Sequence, residues 1–145
     1  MTELTLRPAA INDAGEIHEL LLKHAAEIPL AVGTLEQEEA LYAALRKILA
    51  FAQSWVALRG ETVAGVVLVD AAEVGRHWGE NELLNLRYAA GDALAALLGK
   101  VLERSVPMTA VVRDANKSGL AALLENFGFR ESETRVGERR FRREP

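Results

Sequence analysis

A chain of 145 residues without cysteine has no thiolate to serve as nucleophile, metal ligand or disulfide half. Its chemistry must come from carboxylates, imidazoles, phenols and backbone groups. His18 and His24 lie six residues apart on one predicted helix, which puts them on different faces, so they cannot share a metal; both are expected at the surface and no metal site is expected. His77 stands between Arg76 and Trp78 in a turn-rich polar segment. Such a trio could line the mouth of a substrate pocket, or Trp78 could simply anchor a loop. Glu80 and Glu82 follow, and carboxylates at a strand start are ordinarily solvated charges. Asn116 precedes the last predicted helix and reads first as its cap.

The elements that must position these groups are legible from periodicity. Leu4 and Leu6 alternate with Thr5 and Arg7 ahead of Pro8, which predicts a short strand that the proline ends. Asn12 or Asp13 can cap a helix with the stripe Ile17, Leu20, Leu21 and Leu22. Thr34 and Gln37 have the spacing of a capping box for a second helix, with Leu41, Leu45, Ile48 and Leu49 on its apolar side. Residues 54–58 and 62–69 are strand-like and flank Arg59-Gly60-Glu61, which predicts an antiparallel hairpin. Leu83, Leu84, Leu86 and Tyr88 suggest a further strand, and Gly91-Asp92 opens a helix with Leu94, Leu97, Leu98, Val101 and Leu102. After Pro107 come a strand over 109–112, a helix over 117–126 and the pair Gly128-Phe129, a glycine C-cap followed by a core aromatic. Residues 129–131 and 139–143 are predicted as edge strands, the latter carrying Arg139, Arg140, Arg142 and Arg143, charges that discourage edge-to-edge association. Two strand-helix-strand units near the end favour parallel pairing through right-handed crossovers.

Half of the residues are hydrophobic and four are proline, so residues 1–145 suit one compact domain. A formal charge of −4 gives no basic field for nucleic acid, and no apolar run approaches the roughly 20 residues of a membrane span. A cytoplasmic protein without nucleic-acid or membrane partners is the expectation. An exposed last strand makes a homodimer an option.

The element order resembles the GNAT acetyltransferase superfamily. The segment Val112-Arg113-Asp114-Ala115-Asn116-Lys117-Ser118-Gly119, continuing to Leu123-Leu124-Glu125-Asn126-Phe127-Gly128-Phe129, is similar to that family's strand, Asn-led turn, helix and Gly-Phe. The resemblance implies an acyl-CoA N-acyltransferase (GNAT-like) fold: α/β, with a mixed, mostly antiparallel sheet flanked by helices on both faces. It further implies that acetyl-CoA lies in a gap between the fourth and fifth strands and gives its acetyl group to a primary amine on a small molecule or peptide. The family signature Gln/Arg-x-x-Gly-x-Gly/Ala falls on Tyr88-Ala89-Ala90-Gly91-Asp92-Ala93, with Arg87 beside it. In this mapping small residues let the amides of a helix start approach the pyrophosphate, and Asp92, in the first turn, repels it. Gly91-Asp92 reads equally as a plain turn and helix cap. By the same resemblance Asn116 lies near the pantetheine arm, a backbone N–H near Leu86 or Arg87 polarises the thioester, and Glu82 is the base, with Glu80 the second choice. The family's acid, a tyrosine, falls on Leu124, which has no proton to give, leaving Tyr88 as the nearby phenol. The alternative is a catalytically degenerate GNAT-like domain that binds a ligand or associates with itself.

Overall fold

The computed structural model describes residues 4–28, 33–51, 53–71, 84–103 and 106–144. Strand β1 (Leu4–Pro8) leads through a 3-10 turn at Ile11–Asp13 into α1 (Ala14–Lys23), and α2 (Leu35–Ala50) follows. Then come β2 (Trp55–Arg59), β3 (Thr62–Ala71), β4 (Leu84–Gly91), α3 (Leu94–Val101), β5 (Met108–Arg113), α4 (Leu120–Asn126), β6 (Arg130–Arg135) and β7 (Glu138–Arg143). The strands form one sheet in the order β1-β2-β3-β4-β5-β7-β6. Among the described residues only β4 and β5 run parallel; every other neighbouring pair is antiparallel.

Helices cover both faces, as expected for this class. The α1–α2 side buries Ile17, Leu21, Leu45, Ile48, Val66 and Tyr88. The α3–α4 side buries Leu97, Leu98, Leu124, Phe129 and Phe141. The predicted stripes of α2 and α3 are those that turn inward, because apolar residues three and four apart share one side of a helix. Among the described residues no helix is long and apolar enough to cross a membrane.

The ends of the helices show which polar residues set them. Thr34 caps α2, its hydroxyl oxygen accepting from the Gln37 N–H at 3.1 Å. Asp13 does not cap α1 with its side chain; its carboxylate accepts instead from the Arg7 guanidinium and the Ala10 N–H, each at 2.8 Å, and so ties β1 to the start of α1. The Arg7 guanidinium holds the Asp13 carboxyl below its ordinary value against the opposing effect of burial. At the other end of the chain, Gly128 is left-handed at φ 92°, its N–H donates to Glu125 O, and the Phe129 N–H donates to Leu124 O. That is a Schellman motif, and it delivers Phe129 into the core as predicted.

Three expectations about the last third are corrected. Residues 139–143 are not an edge: β7 lies between β5 and β6 with Phe141 fully buried, because the turn at Val136-Gly137 folds the hairpin back against β5. The true edge is β6, whose six residues are all exposed. The second strand-helix-strand unit accordingly forms no parallel pair, since β7 separates β5 from β6. Helix α4 begins at Leu120, three residues later than predicted, because the Asn116 carboxamide oxygen accepts from the Ser118 and Leu120 N–H groups and Gly119 is left-handed at φ 75°.

Candidate functional site

Antiparallel pairing of β3 with β4 matches Val69 with Leu86 and Leu68 with Tyr88, so Arg87 is an extra residue, a β-bulge on β4. Parallel pairing of β4 with β5 stops at the same level, Leu86 with Ala110 being its last match. Up to that point the strands are pinned, the Thr109 hydroxyl donating to the Asn85 side-chain oxygen at 3.1 Å. Beyond it β4 runs on to Gly91 and β5 to Arg113 without pairing with each other, and Arg87 has no partner residue on either neighbouring strand. Two neighbouring strands thus part at a bulge.

The bulge also decides which way β4 side chains face. Leu84 and Leu86 belong to the α3–α4 core; past the extra residue, Tyr88 and Ala90 belong to the α1–α2 core and Ala89 to the other. Tyr88 is buried, with the Arg87 guanidinium 5.6 Å from its ring centroid, and it does not line the opening between the strands. Leu124, at the position of the expected acid, is fully buried in the α3–α4 core.

The opening is a cleft of about 170 Å³ lined by Ala89, Ala90 and Gly91 on one side, Asn116 and Lys117 on the other, and His24 from the end of α1. A second cleft of about 490 Å³ shares His24 and Gly91 with it and continues past Lys23, Arg59 and Asp92. The connection expected over 88–93 is shorter than predicted. Tyr88, Ala89, Ala90 and Gly91 are strand, and only Asp92 and Ala93 separate β4 from α3. Gly91 is required by packing: its φ is 87°, and a Cβ there would sit 2.3 Å from Ala64 O. Opposite it, a Cβ on Gly65 would lie 1.9 Å from Asp92 O.

Asp92 is placed differently from the expectation. It precedes the N-cap, Ala93, rather than entering the first turn, and its carboxylate accepts from Arg59 at 2.9 Å. Both side chains of this ion pair are about half exposed (53% each), so its energetic weight is small, but it gives the negative charge a partner. The Asp92 N–H donates to Ala64 O at 2.9 Å. No side chain caps α3, whose first N–H groups have no intrahelical acceptor. Ala93 itself is held left-handed at φ 59°, the one non-glycine residue with positive φ among the described residues.

His24, expected at the surface, and Glu27, which the sequence did not single out, meet at this opening. His24 Nδ1 lies 3.2 Å from Glu27 Oε2, and Glu27 Oε1 accepts from the Lys117 N–H at 2.7 Å, so a carboxylate from the α1 end spans to the turn after β5. The His24 ring and the Lys117 amide hold the Glu27 carboxyl below its ordinary value. The signal was an i, i+3 His-Glu pair at a helix end, which gains meaning only once Lys117 is known to face it. Asn116 is at the cleft as predicted, with its oxygen committed to the local turn. Glu80 and Glu82, with Arg76, His77 and Trp78, lie outside the described residues. No group of three or more histidine and acidic residues placed to hold a metal occurs among the described residues.

Comparison with known proteins gives its answer through structure. No family model and no curated protein sequence matches the chain. Among solved structures it is similar to a diaminobutyrate acetyltransferase from Paenibacillus lautus, in complex with L-2,4-diaminobutyric acid and coenzyme A (TM-score 0.71, 14% identity, covering 100% of this chain and 96% of that one). It is similar also to a polyamine N-acetyltransferase from Drosophila melanogaster (TM-score 0.70, 11% identity, 99% and 100%) and to a GNAT-family acetyltransferase from Streptococcus pneumoniae (TM-score 0.68, 18% identity, 97% and 98%). With the seven-stranded sheet, the bulged fourth strand and its parting from the fifth, this chain has the fold of the GNAT acetyltransferase superfamily.

Proposed function

We propose that this domain transfers the acetyl group of acetyl-CoA to a primary amine on a small molecule or peptide. The observation that carries the reading is the coincidence of the β4 bulge with the end of β4–β5 pairing, which leaves Arg87 without a partner residue on either neighbouring strand, two residues ahead of the cleft that begins at Ala89. An N–H in that position supports a developing oxyanion on a thioester carbonyl. The uncapped start of α3, with Ala93, Ala95 and Ala96 as small residues, suits a pyrophosphate, and the Arg59 pairing relieves the repulsion that Asp92 would otherwise exert. When bound, acetyl-CoA supplies the activated acyl group. The amine nitrogen bonds to the carbonyl carbon, the carbon–sulfur bond breaks and a thiolate departs; of the two protons lost by an ammonium substrate, one ends on the thiol and one in solvent. Leu124 supplies neither, so water protonates the sulfur. The small amines named for two of the solved relatives support a small primary amine as acceptor.

A second reading, a ligand-binding domain without turnover, is favoured by the Asp92 N–H being spent on Ala64 O and by Leu124 in place of a phenol. Calorimetric titration with CoA tests the first step: affinity at millimolar ligand or better is expected, and none at all removes the acetyltransferase reading. Release of free thiol from acetyl-CoA in the presence of small diamines then separates the enzyme from the silent binder.

A further inference from the structure

On the α3–α4 side the sheet is closed at the level where β4 and β5 part: Leu86, Ala110 and Phe141, matched across β4, β5 and β7, are all buried in the core cluster beneath those helices. An acceptor that is to meet a thioester in the gap therefore comes over the other face. There α1 and α2 reach only part of the way. The cluster beneath them draws on β2, β3 and β4 and, among the described residues, on nothing in β5, β6 or β7. The register fixes which side chains stand on the uncovered part, because partners across a ladder point to the same side. In the row just before the parting, Asp70, Asn85, Thr109 and Arg142 are neighbours on β3, β4, β5 and β7. One residue past Ala110, Val111 is matched by Arg140. Thr109, Val111 and Arg142 are half-buried, and Arg140 is exposed. The first row thus runs from a carboxylate on β3, through two neutral polar groups on the strands that part, to a guanidinium on β7.

The rest of this face is cationic as well, Arg113, Arg130 and Arg135 accompanying Arg140 and Arg142 against Glu133 and Glu138. Arg135 is paired with Glu133 and Arg142 with Glu144, while Arg140 has no side-chain partner among the described residues. This is a local surplus of positive charge on a chain whose formal charge is −4. Neighbouring strands lie roughly 5 Å apart, so a side chain as long as arginine on β7 can reach back across β5 to the gap. We propose that the acceptor is an amine that also bears a carboxylate, an amino acid rather than a plain polyamine, with its carboxylate held by Arg140 and Arg142 and its amino end turned toward β4, on the side of Asp70. The assignment rests on the acetyl-transfer reading above and names the substrate class for it. A guanidinium offers a carboxylate two parallel N–H donors. The same cations repel a second ammonium, so a diamine gains nothing from them.

Matched pairs that differ only by a carboxylate decide it: L-2,4-diaminobutyrate with 1,3-diaminopropane, L-ornithine with 1,4-diaminobutane, and L-arginine with agmatine. Binding of each is read by calorimetry on the intact protein saturated with CoA. In at least one pair the acid is expected to bind about tenfold or more tighter than its decarboxylated counterpart. The negative charge of the whole chain would favour the diamine, so the opposite order reports on this face alone. Arg140→Gln and Arg142→Gln should each weaken binding of that acid about tenfold, leave its diamine within about twofold and retain CoA affinity, a split that a merely loosened fold would not produce. Diamines bound as tightly as their acids, no binding by any of the acids, or a preference that survives both substitutions overturns the inference while sparing the acetyl-transfer reading. Absence of CoA binding overturns both.

Discussion

Ala93 and Gly65 show how single residues hold the β4–α3 connection in shape. A left-handed alanine costs about 1 kcal/mol relative to glycine. Ala93→Gly is therefore expected to raise the urea midpoint by a corresponding amount, and an unchanged midpoint would show that the strain at φ 59° is already relieved. Gly65→Ala should do the opposite. Its Cβ would collide with the backbone at Asp92 O, at 1.9 Å, where no flexible side chain can give way, and a loss of about 3 kcal/mol is expected in chemical denaturation. Asp92→Asn should leave stability nearly unchanged, because the ion pair it removes is half exposed. CoA affinity, read by calorimetry, should rise severalfold, since Arg59 is released and a negative charge is withdrawn from the start of α3. At this scale the sequence was least informative. Gly91 was legible as special, but not its reason, because the need for a missing Cβ is created by Ala64 on a strand distant in sequence. His24 was read as a surface residue and Glu27 was not singled out, since nothing local announces that the Lys117 amide lies opposite.

Among the elements, β1 and α1 are joined by the contacts of Arg7 and Asp13. Because the folded Asp13 carboxyl sits below its unfolded value, its contribution to stability is complete above the unfolded value, near pH 4, and is lost as pH falls through the folded one. Arg7→Gln should flatten stability against pH in that acid range, measured as thermal midpoints between pH 5 and pH 2; a parallel curve for the variant would show the pair to be inert. Helix α2 was readable because period and cap agreed, α3 from its apolar period alone, and the β2–β3 hairpin because two strand-like runs flank a short turn. The connection before α3 and the placing of β7 were not. A strand ending in Ala-Ala-Gly carries no sign of where pairing stops, and hairpin insertion between two strands is decided by partners that the alternation of Arg139 to Arg143 does not name.

Across the whole molecule the sheet separates two apolar clusters, one beneath α1 and α2 and one beneath α3 and α4. Leu45→Ala and Leu97→Ala, each removing a fully buried side chain, should cost about 2–5 kcal/mol apiece. Lying in separate clusters, they should add within about 0.5 kcal/mol in the double variant, and strong coupling would mean that the two layers do not behave as independent packings. The class of fold was legible at this scale because element order alone restricts how seven strands and their helices can be arranged.

The extra residue at Arg87 works as a frameshift in the pattern of faces rather than in codons. Every β4 side chain downstream of it is read from the opposite side. Removing that one amino acid would rotate Tyr88 and Ala90 toward α3, bring Ala89 under α1, and exchange the walls of the cavity wholesale; so the strand would be expected to tolerate point changes in this stretch far better than a single deletion.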